Sequence, residues 1–202
     1  MNKHLLFCIT FLLMLSSLKA EAQPTLRQVE LAKGRFAFSY LESKTQHTIY
    51  VLDLESRQFY PIVRSGAVDD YPSWSPDGKR IVFHSDVTGK NQLYLINGDG
   101  TELTRLTNSQ NADEDPSFSP DGKQIVFTSS RAGKGMNLFS YDFDSKSITQ
   151  LTNNTSQNTV PHWSPRKTEI LYSTDEHWPG WDLALYDVRQ KSSAVLTRGF
   201  HS

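Results

Sequence analysis

Hydrophobic and polar residues alternate in short runs over most of the chain, and one arrangement of these runs recurs. Each copy has an aromatic residue followed by Ser-Pro, then a polar turn, then a short apolar run. A second apolar run and a closing Leu-Thr pair follow in every copy. A repeat with the spacing from Trp74 to Phe118 and from Phe118 to Trp163 is typical of architectures built from stacked, equivalent units. The three copies start at residues 71, 115 and 160, and their marker aromatics are Trp74, Phe118 and Trp163.

A fourth, less regular copy precedes these three. Its apolar runs at 36–38 and 49–52 match those of the later copies, and its first strand is expected at 26–29. Its turn at 32–34 has lost the Ser-Pro-Asp-Gly pattern. The sequence therefore predicts four units, with approximate limits at residues 26–66, 71–108, 115–153 and 160–198.

Each unit has the composition of short strands joined by tight turns. In Ser-Pro-Asp-Gly, proline suits the second turn position and glycine the position with positive φ. The flanking runs are β-branched and aromatic, as strands prefer, and no apolar pattern of helical period persists after Gln23. We expect an all-β fold, a β-propeller with four antiparallel strands in each blade. One small sheet cannot bury both of its faces, so the blades should stack with the marker aromatics packed between them.

The run Trp-Ser-Pro-Asp-Gly-Lys-Arg-Ile-Val-Phe at 74–83 resembles the WD40-like repeat of the TolB-like β-propellers, as do the segments at 93–100 and 105–107. The resemblance covers nearly all of residues 31–198 and implies a propeller. Members of this family include the periplasmic propeller of the Tol envelope system, propellers fused to serine peptidases of the prolyl-oligopeptidase type, and some polysaccharide lyases. The fourth unit departs from the pattern at Arg166 and Lys167, which replace Asp-Gly.

Known rings of this kind usually have six or seven blades, whereas four are visible here. Three interpretations stay open: a four-bladed ring, an open arc that another chain completes, and a partial or truncated member, which we favour. An open arc would expose two blade faces and would be able to self-associate through them.

The first 22 residues have the pattern of a secretory signal peptide. A short basic start precedes an apolar run from Leu5 to Leu15, and residues 20–22 form an A-x-A cleavage site. This run is shorter than the roughly 20 residues that a membrane-spanning helix needs. We therefore expect an exported mature chain, periplasmic or extracellular, with no transmembrane segment. Cys8, the single cysteine, lies in this segment, so the mature chain would have no disulfide.

Charge and motifs argue against several classes of function. With 21 Lys+Arg against 22 Asp+Glu, the chain lacks the basic surface that nucleic-acid binders need. It has no Gly-x-Ser-x-Gly nucleophile motif, phosphate-binding glycine loop, His-Glu-x-x-His motif or dinucleotide fingerprint. We therefore expect no catalytic residue and no cofactor.

Histidines offer a weak case for a metal. They fall at non-equivalent positions of the units, where they are not expected to converge on one ion. Whether a metal binds stays open on the sequence. The histidines after the signal segment are His47, His84, His162, His177 and His201.

Acidic residues just before two of the inner strands form the leading candidate site. Equivalent positions in successive blades lie at the same height around the axis, so these carboxylates should gather near one mouth of the channel. Closely spaced carboxylates repel one another and favour a divalent cation or a basic partner segment. The alternative is that they are solvated, turn-forming loop residues. The candidates are Asp69, Asp70, Asp113, Glu114 and Asp115.

The loop His-Trp-Pro-Gly-Trp at 177–181 is a second candidate, because the other units have no tryptophan there. Trp178 and Trp181 have the chemistry to stack on a sugar or on a hydrophobic partner. They would equally serve to cover an open propeller edge, and both interpretations stay open.

These patterns favour a non-enzymatic, exported β-propeller that acts as a protein-interaction scaffold in the bacterial periplasm or cell envelope, with a protein partner there. The alternative is the propeller part of a prolyl-oligopeptidase-type peptidase or a polysaccharide lyase that lacks its catalytic part.

Overall fold

The structure, a computed structural model, describes residues 34–177 and 180–197. The predicted signal peptide, the predicted strand at 26–29, Trp178 and His201 lie outside these residues. Within the described ranges there is no helix long and apolar enough to cross a membrane. The strands are β1 (Arg35–Ser43), β2 (Gln46–Asp53), β3 (Gln58–Val63), β4 (Asp69–Trp74), β5 (Arg80–Ser85), β6 (Gln92–Asn97), β7 (Thr104–Arg105), β8 (Asp113–Phe118), β9 (Gln124–Ser129), β10 (Asn137–Asp142), β11 (Ile148–Gln150), β12 (Asn158–Trp163), β13 (Glu169–Thr174), β14 (Asp182–Asp187) and β15 (Ser192–Val195).

Strands that are neighbours in the chain pair antiparallel and build four consecutive sheets. Sheet 1 contains β1 to β3, sheet 2 contains β4 to β7, sheet 3 contains β8 to β11 and sheet 4 contains β12 to β15. The predicted all-β fold of four-stranded blades is confirmed, although sheet 1 has three strands among the described residues. Strand β8 contacts both β4 and β12, so the first strands of sheets 2 to 4 lie side by side. We call these three the inner strands.

The tight turn between the first two strands has the same conformation in sheet 2 and in sheet 4, although the two sequences differ there. In sheet 2, the Gly78 N–H donates to the Ser75 carbonyl at 2.8 Å, and Gly78 has a φ of +67°. In sheet 4, the Lys167 N–H donates to the Ser164 carbonyl at 3.0 Å, and Lys167 has a φ of +56°. A non-glycine residue in this left-handed region costs roughly 1–2 kcal/mol. The fourth unit therefore keeps its turn in spite of losing Asp-Gly.

Apolar side chains on the facing surfaces of consecutive sheets form three separate cores. Trp74 packs against the core between sheets 1 and 2, Phe118 lies in the core between sheets 2 and 3, and Trp163 packs against the core between sheets 3 and 4. Side chains alternate along a strand, so Phe83 enters the first core while its neighbour Val82 enters the second. The marker aromatics therefore pack between the sheets, as the repeat predicts.

Candidate functional site

The candidate site lies where the three inner strands begin. We define the inner-strand rim as the first three residues of β4, β8 and β12, which are residues 69–71, 113–115 and 158–160. All five acidic candidates belong to this rim. Its three positions differ in burial and in hydrogen bonding.

The first rim position is buried in every sheet: Asp69, Asp113 and Asn158 each have 0% exposure. The Asp69 carboxylate accepts hydrogen bonds from Ser65 Oγ at 2.7 and 2.8 Å. The Asp113 carboxylate accepts two from Arg131 Nη2, at 2.6 and 2.7 Å. Buried charges persist when they are paired and hydrogen-bonded in this way. Asp69 and Asp113 therefore hold the local structure together and present no surface to a ligand.

The second rim position links a sheet to the one before it. The Asp70 carboxylate lies 2.9 Å from His47 Nδ1, and the Glu114 carboxylate accepts a hydrogen bond from Asn91 Nδ2 at 2.8 Å. His47 and Asn91 are equivalent, because each stands two residues before a matched apolar run. Asp70 and Glu114 are only half-buried. Each carboxylate therefore braces two sheets and still reaches the solvent.

The third rim position is a β-bulge in all three inner strands. Tyr71, Asp115 and Val160 have φ values of +53°, +51° and +52°, and strand pairing shifts register beside each of them. This conformation is strained for non-glycine residues, most of all for a β-branched residue such as valine. Bulges re-aim side chains and are frequent beside functional sites. The same strain repeated at one level of the fold marks the rim as a candidate site.

Asp115 connects three sheets. Its carboxylate accepts hydrogen bonds from the Val160 N–H at 3.2 Å and from Thr128 Oγ1 at 3.3 Å, and its own N–H donates to His84 Nδ1 at 3.1 Å. Burial raises the pKa of the Asp115 carboxyl, and the charge of His84 opposes part of that change. Burial lowers the pKa of His162, with an opposing effect from the charge of Asp115. Asp115 is thus a half-buried carboxyl with His84 of the preceding sheet on one side and His162 of the following sheet on the other.

The histidines are less scattered than their repeat positions suggest. His84 and His162 both neighbour Asp115, because the end of β5 and the middle of β12 lie beside the start of β8. His177 Nδ1 lies 3.6 Å from the Asp182 carboxylate, in a different part of sheet 4. Over residues 34–177 and 180–197, no group of three or more His, Cys, Asp or Glu side chains has the arrangement of a metal site.

Trp181 lies at the sheet 4 equivalent of His47 and Asn91, two residues before the matched apolar run. Its side chain is 44% exposed. In sheets 1 and 2 this position reaches across to the next sheet. Trp181 therefore lies at the level of the rim, at a position of sheet 4 that contacts the following sheet in sheets 1 and 2.

Three side chains of the rim region were missed by sequence reasoning. His47 and Asn91 brace the acids, and the exposed Tyr71 stacks on the His84 ring with centroids 5.4 Å apart. The common spacing of His47 and Asn91 before an apolar run was visible in the sequence and could have identified them. Nothing in the sequence pattern indicated the contact of Tyr71 with His84.

Comparison with protein families gives one clear result. A family model described as the TolB beta propeller domain matches residues 34–202. Among curated proteins, the Tol-Pal system protein TolB of Hydrogenovibrio crunogenus is 35% identical over 60 residues, which make up 30% of this chain and 14% of that protein.

Solved structures agree with this result. TolB from Acinetobacter baumannii has a TM-score of 0.69 at 27% identity, over 81% of this chain and 40% of that chain. A TolB homologue from Agrobacterium tumefaciens has a TM-score of 0.72 at 24% identity, over 81% of this chain and 61% of that chain. At 24% identity, the second likeness concerns the fold alone. The chain spans less than two thirds of the length of each of these relatives.

Proposed function

The chain belongs to the TolB β-propeller domain family, and we propose that it acts as a non-catalytic protein-interaction scaffold in the bacterial periplasm or cell envelope. The observation that carries this proposal is the family match over residues 34–202. The Tol-Pal system protein among its relatives supports an envelope location. Export would depend on the signal peptide expected at residues 1–22.

The chemistry of the rim also supports a scaffold. Its polar groups are engaged in holding adjacent sheets together, as in the Asp70–His47 and Glu114–Asn91 contacts. A general base or nucleophile would instead be aimed at a space where a substrate can sit. Braced side chains of this kind form a rigid, preorganised surface, which reduces the entropy lost on binding a protein.

The binding surface that we propose is the accessible part of the inner-strand rim. Asp70 and Glu114 supply exposed carboxylate edges, and Asp115 fixes the backbone between them. Asp69 and Asp113 support this surface from below. A partner segment rich in lysine or arginine would complement its charge, while Tyr71 would supply an exposed aromatic contact of the kind enriched at interfaces.

Site-specific photocrosslinking in cells tests this proposal. A photoreactive phenylalanine derivative replaces Tyr71, which is 41% exposed at the rim, or Leu103, which is 55% exposed just before the outer strand β7. We expect a defined adduct with an envelope protein from position 71 and no such adduct from position 103.

A second experiment neutralises two rim carboxylates in the protein that carries the photoreactive residue at position 71. Asp70→Asn and Glu114→Gln keep side chains that can still hydrogen-bond to His47 and Asn91, so the sheets should stay braced. We expect the two substitutions together to reduce the yield of the adduct from position 71 at least severalfold. Equal labelling from positions 71 and 103, or an adduct unaffected by the two substitutions, would refute the rim as the binding surface. Adducts with cytoplasmic proteins alone would refute the envelope location.

A further inference from the structure

A cleft of about 260 Å³ opens between sheets 3 and 4, at the ends of the strands opposite the inner-strand rim. Gln124, the first residue of β9, lines it from sheet 3. Trp163, Val188 and Lys191 line it from sheet 4. We call this space the Trp163 cleft. Both sheets that form it lie within the described residues, and none of its lining residues belongs to the rim.

An arginine side chain occupies the corresponding place between sheets 1 and 2. Arg35, the first residue of β1, stacks its guanidinium over the Trp74 ring, with Cζ 4.7 Å from the ring centroid. The same guanidinium donates hydrogen bonds to the Gly78 carbonyl at 2.7 Å and to the Gly98 carbonyl at 3.4 Å. A planar guanidinium can stack and donate at the same time. Sheet 1 therefore places a cation on the marker aromatic of sheet 2.

The place between sheets 2 and 3 holds an arginine as well. Arg80, the first residue of β5, has its Cζ 5.9 Å from the Phe118 centroid and 5.1 Å from the Phe143 centroid. Phe118 and Phe143 hold the repeat positions of Trp74 and Gly98. Two consecutive pairs of sheets thus have a guanidinium on the marker aromatic of the later sheet.

The third pair of sheets has glutamine in place of this arginine. Gln124 is shorter than arginine and uncharged, and its Nε2 donates to Asp142 Oδ2 of its own sheet at 3.1 Å. Trp163, which holds the position of Trp74 and Phe118, lines the open cleft. The Trp163 cleft is therefore the arginine position of this repeat, with its aromatic partner kept and its arginine replaced.

The hydrogen-bond acceptors of the first pair of sheets are repeated in sheet 4. Lys167 and Val188 hold the positions of Gly78 and Gly98. The Val188 N–H donates to the Thr168 carbonyl at 3.0 Å, and the Gly98 N–H makes the equivalent bond in sheet 2. Backbone carbonyls accept hydrogen bonds whatever side chain the residue carries. A guanidinium in the cleft would therefore meet the same two acceptor positions.

Charges of both signs lie near the cleft. The Asp142 carboxylate contacts Gln124 and would attract a cation. Lys191 would oppose one, but Lys146 holds the equivalent position in sheet 3 with the same φ of +54°. Arg80 still stacks against sheet 3. A lysine at this position is therefore compatible with a bound guanidinium.

We propose that the Trp163 cleft binds an arginine side chain of a partner protein. The guanidinium stacks on the Trp163 ring and donates to the carbonyls of Lys167 and Val188. Tryptophan is the aromatic side chain that attracts cations most strongly, and a cleft held between two packed sheets is largely formed before the ligand arrives. This inference goes beyond the proposed scaffold function and does not depend on the rim, which lies at the opposite ends of the strands.

Titration of the full chain with N-acetyl-arginine N-methylamide tests the proposal. The indole N–H signal of Trp163 is followed by NMR in 15N-labelled protein and is assigned by its loss in Trp163→Phe. We expect a saturable shift of this signal with a dissociation constant in the millimolar range, as befits one side chain. The citrulline analogue keeps the planar shape without the charge, and the lysine analogue keeps the charge without the plane. Each should bind at least about fivefold more weakly.

Two substitutions of one residue locate the bound probe. Gln124→Arg copies Arg35 and Arg80 and should occupy the cleft from within, so the arginine probe should no longer shift the Trp163 signal. Gln124→Met is the matched control, because it is uncharged and leaves the cleft open, and its affinity should stay within about twofold of the parent. Circular dichroism of both variants should match that of the parent. The titration of the parent chain does not depend on either variant.

Three results would overturn the proposal. The first is a Trp163 signal that the arginine probe does not shift saturably across the millimolar range. The second is equal or tighter binding of the citrulline analogue, the lysine analogue or methyl glucoside, which would mean that the cleft does not select a guanidinium. The third is undiminished binding of the arginine probe in folded Q124R, which would place the probe elsewhere. None of these results bears on crosslinking at the rim.

Discussion

The inner and outer sheets of this molecule carry the same sequence pattern in different surroundings. Leu138 in sheet 3 has 0% exposure, while its equivalent Leu183 in sheet 4 is 39% exposed. Val126 is fully buried, while its equivalent Leu171 is 38% exposed. The side chains are alike and the strands are alike, so the difference comes from the neighbouring sheet. A repeat therefore specifies a strand and its apolar face, whereas burial is a property that two adjacent repeats share.

The largest effect expected from this comparison concerns the two equivalent leucines. Leu138→Ala removes a fully buried side chain and leaves a cavity between sheets 3 and 4, so it should lower the free energy of unfolding by about 3 kcal/mol. Leu183→Ala should lower it by about 1 kcal/mol or less, because that side chain already meets solvent. Urea unfolding followed by tryptophan fluorescence, at concentrations where the chain is monomeric, measures both values. Equal losses would mean that Leu183 is covered in solution.

The next effect concerns the buried ion pair of sheet 3. Arg131→Met leaves the fully buried Asp113 carboxylate without its cation, and we expect a loss of about 2–3 kcal/mol in the free energy of unfolding. Sheet 4 has the neutral Asn158 at the equivalent position, hydrogen-bonded to Thr174 Oγ1 at 2.9 Å. The double variant Asp113→Asn with Arg131→Met copies that arrangement and should recover most of the loss. The same urea titration tests the pair, and a double variant as unstable as the single one would contradict the prediction.

The smallest effect concerns the contact between two turns, the β8–β9 turn of sheet 3 and the β12–β13 turn of sheet 4. Burial by itself would raise the pKa of the Asp121 carboxyl. Hydrogen bonds from Lys167 and Ser119 outweigh this effect and lower the pKa to about 2. A depressed carboxyl pKa contributes stability above the unfolded pKa near 4, and this contribution is lost as the pH falls towards 2. Lys167→Met should raise the Asp121 pKa and move acid unfolding to higher pH by roughly a few tenths of a unit, since the pair is partly exposed and screened.

Acid titration followed by circular dichroism measures that shift. Lys79→Met is the control, because Lys79 follows the equivalent turn of sheet 2, where a hydrogen bond from Ser75 is the main cause of the lowered Asp77 pKa. The shift in the control should be smaller than that in K167M. An unchanged acid midpoint in K167M would show that the contact between the two turns contributes nothing measurable.

The strands and turns of this protein were predictable from its sequence because they depend on local chemistry. β-Branched and aromatic runs formed strands, and Ser-Pro-Asp-Gly formed turns with glycine at positive φ. The recurrence of Trp74, Phe118 and Trp163 was sufficient to predict that they pack between sheets. The replacement at Lys167 did not change its turn, because the flanking hydrogen bond still forms.

The acidic candidates were harder to interpret, because the residues that decide their roles are distant in the chain. Sequence reasoning treated five acids as one group near a channel mouth. Asp113 is instead buried on Arg131, whereas Glu114, its neighbour, remains half-exposed on Asn91 of the preceding sheet. Adjacent side chains of a strand point to opposite sides, so Asp113 meets a cation of its own sheet while Glu114 meets a side chain of the preceding sheet.

The sequence by itself therefore determined the repeat, the antiparallel strands, their turns and the apolar face of each blade, since these follow from spacing and local propensity. Only the tertiary structure decided which carboxylates are buried, which brace two sheets and which apolar faces stay open. The physical reason is that burial depends on the neighbouring sheet, and pairing depends on groups that lie outside the strand whose pattern is being read. Leu171 and Leu183 of sheet 4 show this most clearly, because they are partly exposed while their equivalents Val126 and Leu138 are fully buried.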